Sequence, residues 1–212
     1  MTITITLYTD YKSPYAFLAK DLAYILEDQR NIKIDWLPYT LDIPDYLGSA
    51  QVDENGTIID SQRTDHQWRR VRYSYMDARR YANERGLTLR GPKKIWDSTL
   101  AALGLLWSKR SERSIFRVYH DILFEKFWKR ELDIEDLTAI EAIMIKAGVQ
   151  TDGFVEWTNT SGREEHDNIR ITAEKSGIFG VPTFVIEGEQ FWGREHLELI
   201  GLRLDALGFK VR

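Results

Sequence analysis

The sequence predicts an α/β fold: a small mixed sheet interrupted by a large, all-helical insertion. Three observations carry this. The chain opens with a strand, a helix and a second strand. It then runs at helical periodicity for about a hundred residues. It closes with helix, strand, strand and helix. The two ends supply one sheet, residues 1–40 with 160–212, and residues 41–159 form the mostly helical insert.

Residues 2–9 alternate Ile3, Ile5 and Leu7 with Thr4, Thr6 and Tyr8, the period-2 signature of a strand. Ser13-Pro14 follows, an N-cap residue and a proline suited to the first helical position. Tyr15, Leu18, Leu22, Ile25 and Leu26 then form an apolar stripe at helical spacing. Residues 32–37 read as a strand closed by Pro38. A βαβ start of this kind makes the first two strands parallel, with a right-handed crossover.

Residues 41–63, punctuated by Pro44, Gly48 and Asn55-Gly56, read as loop with short helical turns. Helical periodicity returns over residues 65–85, where Trp68, Val71, Tyr75, Ala78 and Ala82 form the stripe. Further helices are expected from Asp97 or Ser98 to Lys109, over 112–128 and 136–147, from Asp152, and over 161–176. Residues 183–187 and 190–192 read as a hairpin turning at Gly188-Glu189. A helix follows over 194–207, then a short charged tail at 210–212.

Composition bounds the chemistry. The 212 residues suit one domain carrying an insertion, with 43% hydrophobic residues to build a core. The absence of cysteine excludes disulfides, thiolate catalysis by the chain itself and iron–sulfur clusters. A net charge of −4 argues against broad nucleic-acid binding. Residues 67–90 hold seven arginines, among them Arg70 and Arg72; a solvated amphipathic helix and an anion-facing patch are the two readings. His66, His120, His166 and His196 are scattered without metal-ligand spacing, so no metal site is expected. Neither a signal segment nor an apolar run of membrane-spanning length is visible, which leaves the cytoplasm as the expected compartment, with no membrane partner.

Two segments stand out chemically. In Asp10-Tyr11-Lys12-Ser13-Pro14-Tyr15 a strand feeds a helix, and Ser13 presents a hydroxyl beside the free N–H groups of a helix N-terminus. That setting suits a bound anion, thiolate or carboxylate; a plain helix start is the alternative. Lys12 neighbours Ser13, but adjacent side chains at a helix start diverge, so no base is assigned to activate the serine. In Gly177-Ile178-Phe179-Gly180-Val181-Pro182-Thr183 a proline directly precedes a strand, a candidate cis bond beside which Val181 could pair with a peptide-like ligand. A simple turn is the alternative there.

Together these segments resemble the thioredoxin-like family of 2-hydroxychromene-2-carboxylate isomerases and kappa-class glutathione transferases, within the DsbA-like superfamily. YTDYKSPYAFLA at residues 8–19, RVRYSYMDARRYA at 70–82 and GIFGVPTFVIEGEQFWGREHLELI at 177–200 carry the resemblance, which covers nearly the whole chain. It implies a thioredoxin-like fold, a homodimer and glutathione as cofactor. Ser13 then stands in place of the first redox cysteine and hydrogen-bonds the glutathione thiol, while Val181, before Pro182, holds its cysteinyl backbone. Gly193-Arg194-Glu195-His196 occupies the stretch that binds the γ-glutamyl end, assigning Arg194 and Glu195 there. It departs from the family's Gly-x-Asp-Arg by a longer acid and a histidine. Tyr15, Arg70 and Tyr73 are the implied contacts to a small aromatic or conjugated electrophile. The implied activity is isomerisation by reversible thiolate addition. A kappa-like transferase, a glutathione-independent isomerase and a non-catalytic binding protein are the alternatives.

Overall fold

The computed structural model describes residues 2–212. The first strand, β1 (Ile3–Thr9), lies inside a four-stranded sheet of order β2-β1-β5-β6 with β2 (Ile32–Pro38), β5 (Thr183–Ile186) and β6 (Glu189–Trp192). β1 and β2 are parallel, with Ile5 opposite Ile34 and Leu7 opposite Trp36. β5 joins the other edge of β1 antiparallel, setting Phe184 opposite Leu7. The alternation in β1 is clean only at its start. Leu7, Tyr8 and Thr9 are all buried, because helices cover both faces of the sheet here.

The helix α1 (Pro14–Gln29) makes the crossover from β1 to β2. At the far end, Glu187 (φ 48°) and Gly188 (φ 86°) form the two-residue turn between β5 and β6. Both lie in the left-handed region, which matches the twist of the flanking strands. This is a thioredoxin-like core.

Between the two halves of the sheet runs the insertion: α2 (Ile43–Leu47), β3 (Ala50–Val52), β4 (Ile58–Ser61), α3 (Asp65–Glu84), α4 (Thr99–Ser108), α5 (Arg113–Trp128), α6 (Leu137–Ala147) and α7 (Phe154–Thr158). α8 (Ser161–Lys175) returns the chain to β5, and a 3₁₀ turn (Arg194–His196) leads into α9 (Leu197–Ala206). The insertion is mostly helical, and where loop with short turns was expected it also carries the small antiparallel hairpin β3–β4. Thr64 and Gln67 form a reciprocal capping box that starts α3. Asp97, not the helix-flanking Ser98, supplies the side-chain cap of α4, accepting from the Thr99 N–H at 2.9 Å.

Aromatic rings join the insertion to the sheet. Phe17 on α1 stacks on Phe124 and Trp128 of α5, with centroids 5.5 and 6.2 Å apart. Each such ring, fully buried, contributes roughly 1.5–3 kcal/mol of transfer free energy. His120 is enclosed by Trp36, Phe116 and Phe124 and shares a 2.7 Å hydrogen bond with the Tyr11 hydroxyl. The charged tail is docked: the Arg212 N–H donates to the Gln29 carbonyl at 2.9 Å. Among the described residues, no helix is long and apolar enough to cross a membrane.

Candidate functional site

The turn from β1 into α1 is held by a buried carboxylate. Asp10 accepts from the Lys12 N–H at 3.2 Å and from the Leu41 N–H at 2.8 Å, and its carbonyl accepts from the Ser13 N–H at 3.0 Å. Ser13 leaves this turn extended (φ −89°, ψ 117°) and caps α1, its Oγ accepting from the Ala16 N–H at 3.2 Å. The same Oγ donates to the Val181 carbonyl at 3.4 Å. Two segments 168 residues apart in sequence thus meet through one hydroxyl.

The second segment is pinned as tightly. Thr183 Oγ1 donates to the Gly180 carbonyl at 2.7 Å, and the Gly193 N–H donates to the Pro182 carbonyl at 2.8 Å. The Val181–Pro182 peptide is cis. Among the described residues the Val181 N–H has no hydrogen-bond partner.

A cleft of about 580 Å³ opens beside this junction. Ser13, Tyr15 and Val181 line one side, and Arg70 and Tyr75 of α3 line the other. At its rim Phe179 and Trp192, 64% and 50% exposed, hold their rings 4.8 Å apart. Gly180 permits this: a Cβ there would lie 2.6 Å from the Trp192 indole nitrogen.

The other predicted contacts fall in different places. Tyr15 lines the cleft, yet its hydroxyl is committed to α3, donating to Asp77 at 3.1 Å. Burial and the Asp77 carboxylate push that hydroxyl up to about 12, so it stays a neutral donor. Arg70 is exposed and faces the same cleft. Tyr73 is 58% exposed and outside the cleft lining. Arg194 lays its guanidinium over the Tyr81 ring, 3.3 Å from the centroid, and Glu195 folds back over Gly193. Neither lines the cleft. Among the described residues, no group of three or more His, Cys, Asp or Glu side chains is placed to hold a metal ion.

Several lining residues escaped the sequence reading. Lys12 does not diverge from the site: it lines the cleft beside Ser13, its Nζ donating to the Trp96 carbonyl at 3.2 Å. Tyr75 reads in sequence as one more member of an apolar stripe, but only Val71, Ala78 and Ala82 of that stripe are buried. Tyr75 instead forms part of the wall between the cleft and a second compartment of about 430 Å³. That compartment is bounded by α3, β3 and residues 91–96. Phe179 and Trp192 were visible only as parts of a motif, since their meeting depends on how β6 returns over Gly180.

Residues 4–205 match the family model described as the DSBA-like thioredoxin domain. The 2-hydroxychromene-2-carboxylate isomerase of Sphingobium xenophagum is 25% identical over 203 residues, spanning 94% of this chain and 97% of that protein. A solved 2-hydroxychromene-2-carboxylate isomerase superposes with a TM-score of 0.73 at 19% identity, covering 96% of this chain and 95% of the other. A probable DsbA oxidoreductase from Streptomyces coelicolor superposes at 0.70 with 15% identity, covering 97% and 90%. The match spans nearly the whole chain, from β1 to α9, and the chain therefore belongs to the DSBA-like thioredoxin domain family.

Proposed function

We propose that this protein is a glutathione-dependent isomerase of small aromatic or conjugated carbonyl compounds. The observation that carries the reading is the Ser13 hydroxyl, set at the N-terminus of α1 and 3.4 Å from the Val181 carbonyl, in a chain without cysteine. A thiol-handling fold that has no thiol of its own is suited to a borrowed one. The relative of matching length, named a 2-hydroxychromene-2-carboxylate isomerase, supports the same class of reaction.

The residues present fit glutathione. The cleft of about 580 Å³ falls within the roughly 300–1,000 Å³ of small-ligand sites. The unpartnered Val181 N–H and its neighbouring carbonyl are groups that an extended peptide backbone can pair with. Its cysteinyl sulfur would lie toward Ser13, and Arg194 and Glu195 need to swing from Tyr81 and Gly193 to reach its γ-glutamyl end.

When bound, glutathione supplies a nucleophilic thiolate that adds reversibly to a conjugated carbonyl, freeing the former double bond to rotate. Ser13 turns its O–H from Val181 toward that sulfur, a charge-assisted hydrogen bond worth ~1.5–3 kcal/mol. The N-terminus of α1 adds ~0.3–1 kcal/mol. At ~1.4 kcal/mol per pKa unit, these two contributions lower the thiol by roughly one to three units, enough to ionise it near neutrality. Ser13 has no His or Lys base within hydrogen-bond distance among the described residues, which favours a stabilising over an attacking role. Tyr15 and the Phe179–Trp192 pair give a flat electrophile apolar walls. A non-catalytic relic would be expected to fill the space beside Ser13, and here that space is an open cleft.

Isothermal titration with glutathione tests this. Binding is expected, with loss of thiolate absorbance from the bound ligand in Ser13→Ala. No binding at millimolar glutathione overturns the reading. Turnover with and without the thiol then separates a dependent from an independent isomerase, and recovery of a thioether product identifies a transferase instead.

A further inference from the structure

The compartment behind Tyr75 has a charge pattern that the thiol site does not use. Arg63, Arg72, Arg79 and Arg130 line it, and no acidic residue does. Lysines nearby are balanced: Lys93 pairs with Glu54 and Lys94 with Glu135. The four arginines have no carboxylate partner among the described residues. Three are anchored by one nitrogen only. Arg63 Nε donates to the Gly48 carbonyl at 3.1 Å, Arg79 Nε to Leu89 at 3.2 Å and Arg130 Nε to Gly91 at 2.7 Å. Their terminal NH₂ groups carry no hydrogen bonds among the described residues. A guanidinium fixed at Nε with both terminal nitrogens open is a preset fork for an oxyanion.

These three arginines converge. Burial pushes the Tyr75 hydroxyl up to about 12, and the positive fields of Arg63, Arg79 and Arg130 oppose that rise. The Tyr75 hydroxyl itself has no hydrogen-bond partner among the described residues. Arg79 also holds its guanidinium 5.7 Å from the Tyr75 ring centroid, and its Nη2 lies 3.5 Å from where a Gly91 Cβ would stand. Trp68 and Trp96 add aromatic wall.

We infer that this compartment is a subsite for a ligand head group carrying two negative charges on oxygen, a phosphate monoester or a pair of carboxylates, with an aromatic ring against Trp68 and Trp96. One carboxylate offers two oxygens and is satisfied by a single fork. Three forks with a fourth arginine beside them exceed it. A half-open space of about 430 Å³ also has room for a small head group. Because Lys12, Arg63 and Tyr75 line both spaces, a substrate anchored here can extend its reactive end toward Ser13. That last step rests on the proposed thiol chemistry; the anion subsite does not.

The test is direct binding to the full chain without thiol, followed by tryptophan fluorescence and calorimetry. The probes are phenyl phosphate, benzene-1,2-dicarboxylate and benzoate. Either dianion is expected to bind at least about tenfold more tightly than benzoate, and which of the two binds names the head group. Arg79→Gln and Arg130→Gln are each expected to weaken the dianion by roughly tenfold or more, the loss of a charge-assisted hydrogen bond, while leaving glutathione binding unchanged. Arg72 makes no backbone anchor, so Arg72→Gln tests the charge where no fold contact is lost; a several-fold weakening is expected. Equal affinity for benzoate, or dianion binding indifferent to all three variants, overturns the subsite. Dianion binding without glutathione binding would remove the thiol mechanism and leave the subsite standing.

Discussion

The two compartments on either side of Tyr75 are built from different materials. At the Ser13–Val181 junction the polar groups are backbone N–H and C=O, one hydroxyl and a helix N-terminus, fixed by hydrogen bonds of the sheet and its turns, with Lys12 and Arg70 farther along the cleft. Across the Tyr75 ring they are guanidinium groups, drawn from the segment before α3, from α3 and from the residue after the α5 cap. The first would act on a ligand with dipoles that belong to the fold itself. The second would attract one with side chains that lie outside the sheet. On the proposed reading, reaction type sits with the backbone geometry of the β–α junction, and ligand selection with the insertion.

The sharpest way to break that comparison is Ser13→Ala. The thiol of bound glutathione is expected to rise by about one to two pKa units, with turnover falling roughly 10- to 100-fold, because ~1.5–3 kcal/mol of hydrogen bonding is lost. Dianion binding in the neighbouring compartment is expected to be unchanged. A spectrophotometric titration of the bound thiol reads the first and calorimetry the second; a shift in both would show that the division is not real. The same variant removes the α1 cap, so a stability loss of about 1 kcal/mol accompanies it.

A steric probe comes next. In Gly180→Ala the new methyl meets the Trp192 indole at 2.6 Å and must displace it. A cost of ~1–3 kcal/mol in urea unfolding is expected, with a change in Trp192 emission and weaker glutathione binding. Wild-type stability and emission would show that the rim yields freely.

His120 tests whether the sheet and insertion are joined as one core. Burial, then the nearby charges of Lys20 and Arg113, hold its imidazole well below the usual histidine range. The folded state therefore keeps His120 neutral while the unfolded chain protonates near pH 6.5. Its contribution is fully present above that pH and is lost as pH falls, at up to ~1.4 kcal/mol per unit. Unfolding free energies measured between pH 7.5 and 5 should show that slope, and His120→Phe should flatten it; an identical slope in the variant would assign the effect to other groups. The smallest change is Tyr15→Phe, which removes the hydrogen bond to Asp77. About 0.5–1.5 kcal/mol of stability is expected to go, with glutathione affinity nearly intact.

Much of the fold was legible because its signals are local. Ser13-Pro14 announces a helix start, and Gly188 a hairpin turn, whatever surrounds them. The β3–β4 hairpin was not legible, and the reason is physical. Ile58, Ile59, Asp60 and Ser61 are all exposed, so the strand buries no face and leaves no alternation to read. Ser13 and Val181 could be singled out because each sits in a compact motif. The arginine forks could not. What makes Arg63, Arg79 and Arg130 a set is three carbonyls, of Gly48, Leu89 and Gly91, that orient them from other segments. In sequence they are scattered members of a basic surface, and Tyr75, their common neighbour, looks like core.

Tyr75 has one more consequence. A ring shared by two walls gives the compartments one element in common. If an anion on the arginine side reorients Tyr75 or Lys12, it alters the affinity for the thiol on the other, and linkage requires the thiol to alter the anion's affinity by the same factor. Anion affinity measured with and without thiol, and thiol affinity measured with and without anion, would then give the same coupling factor.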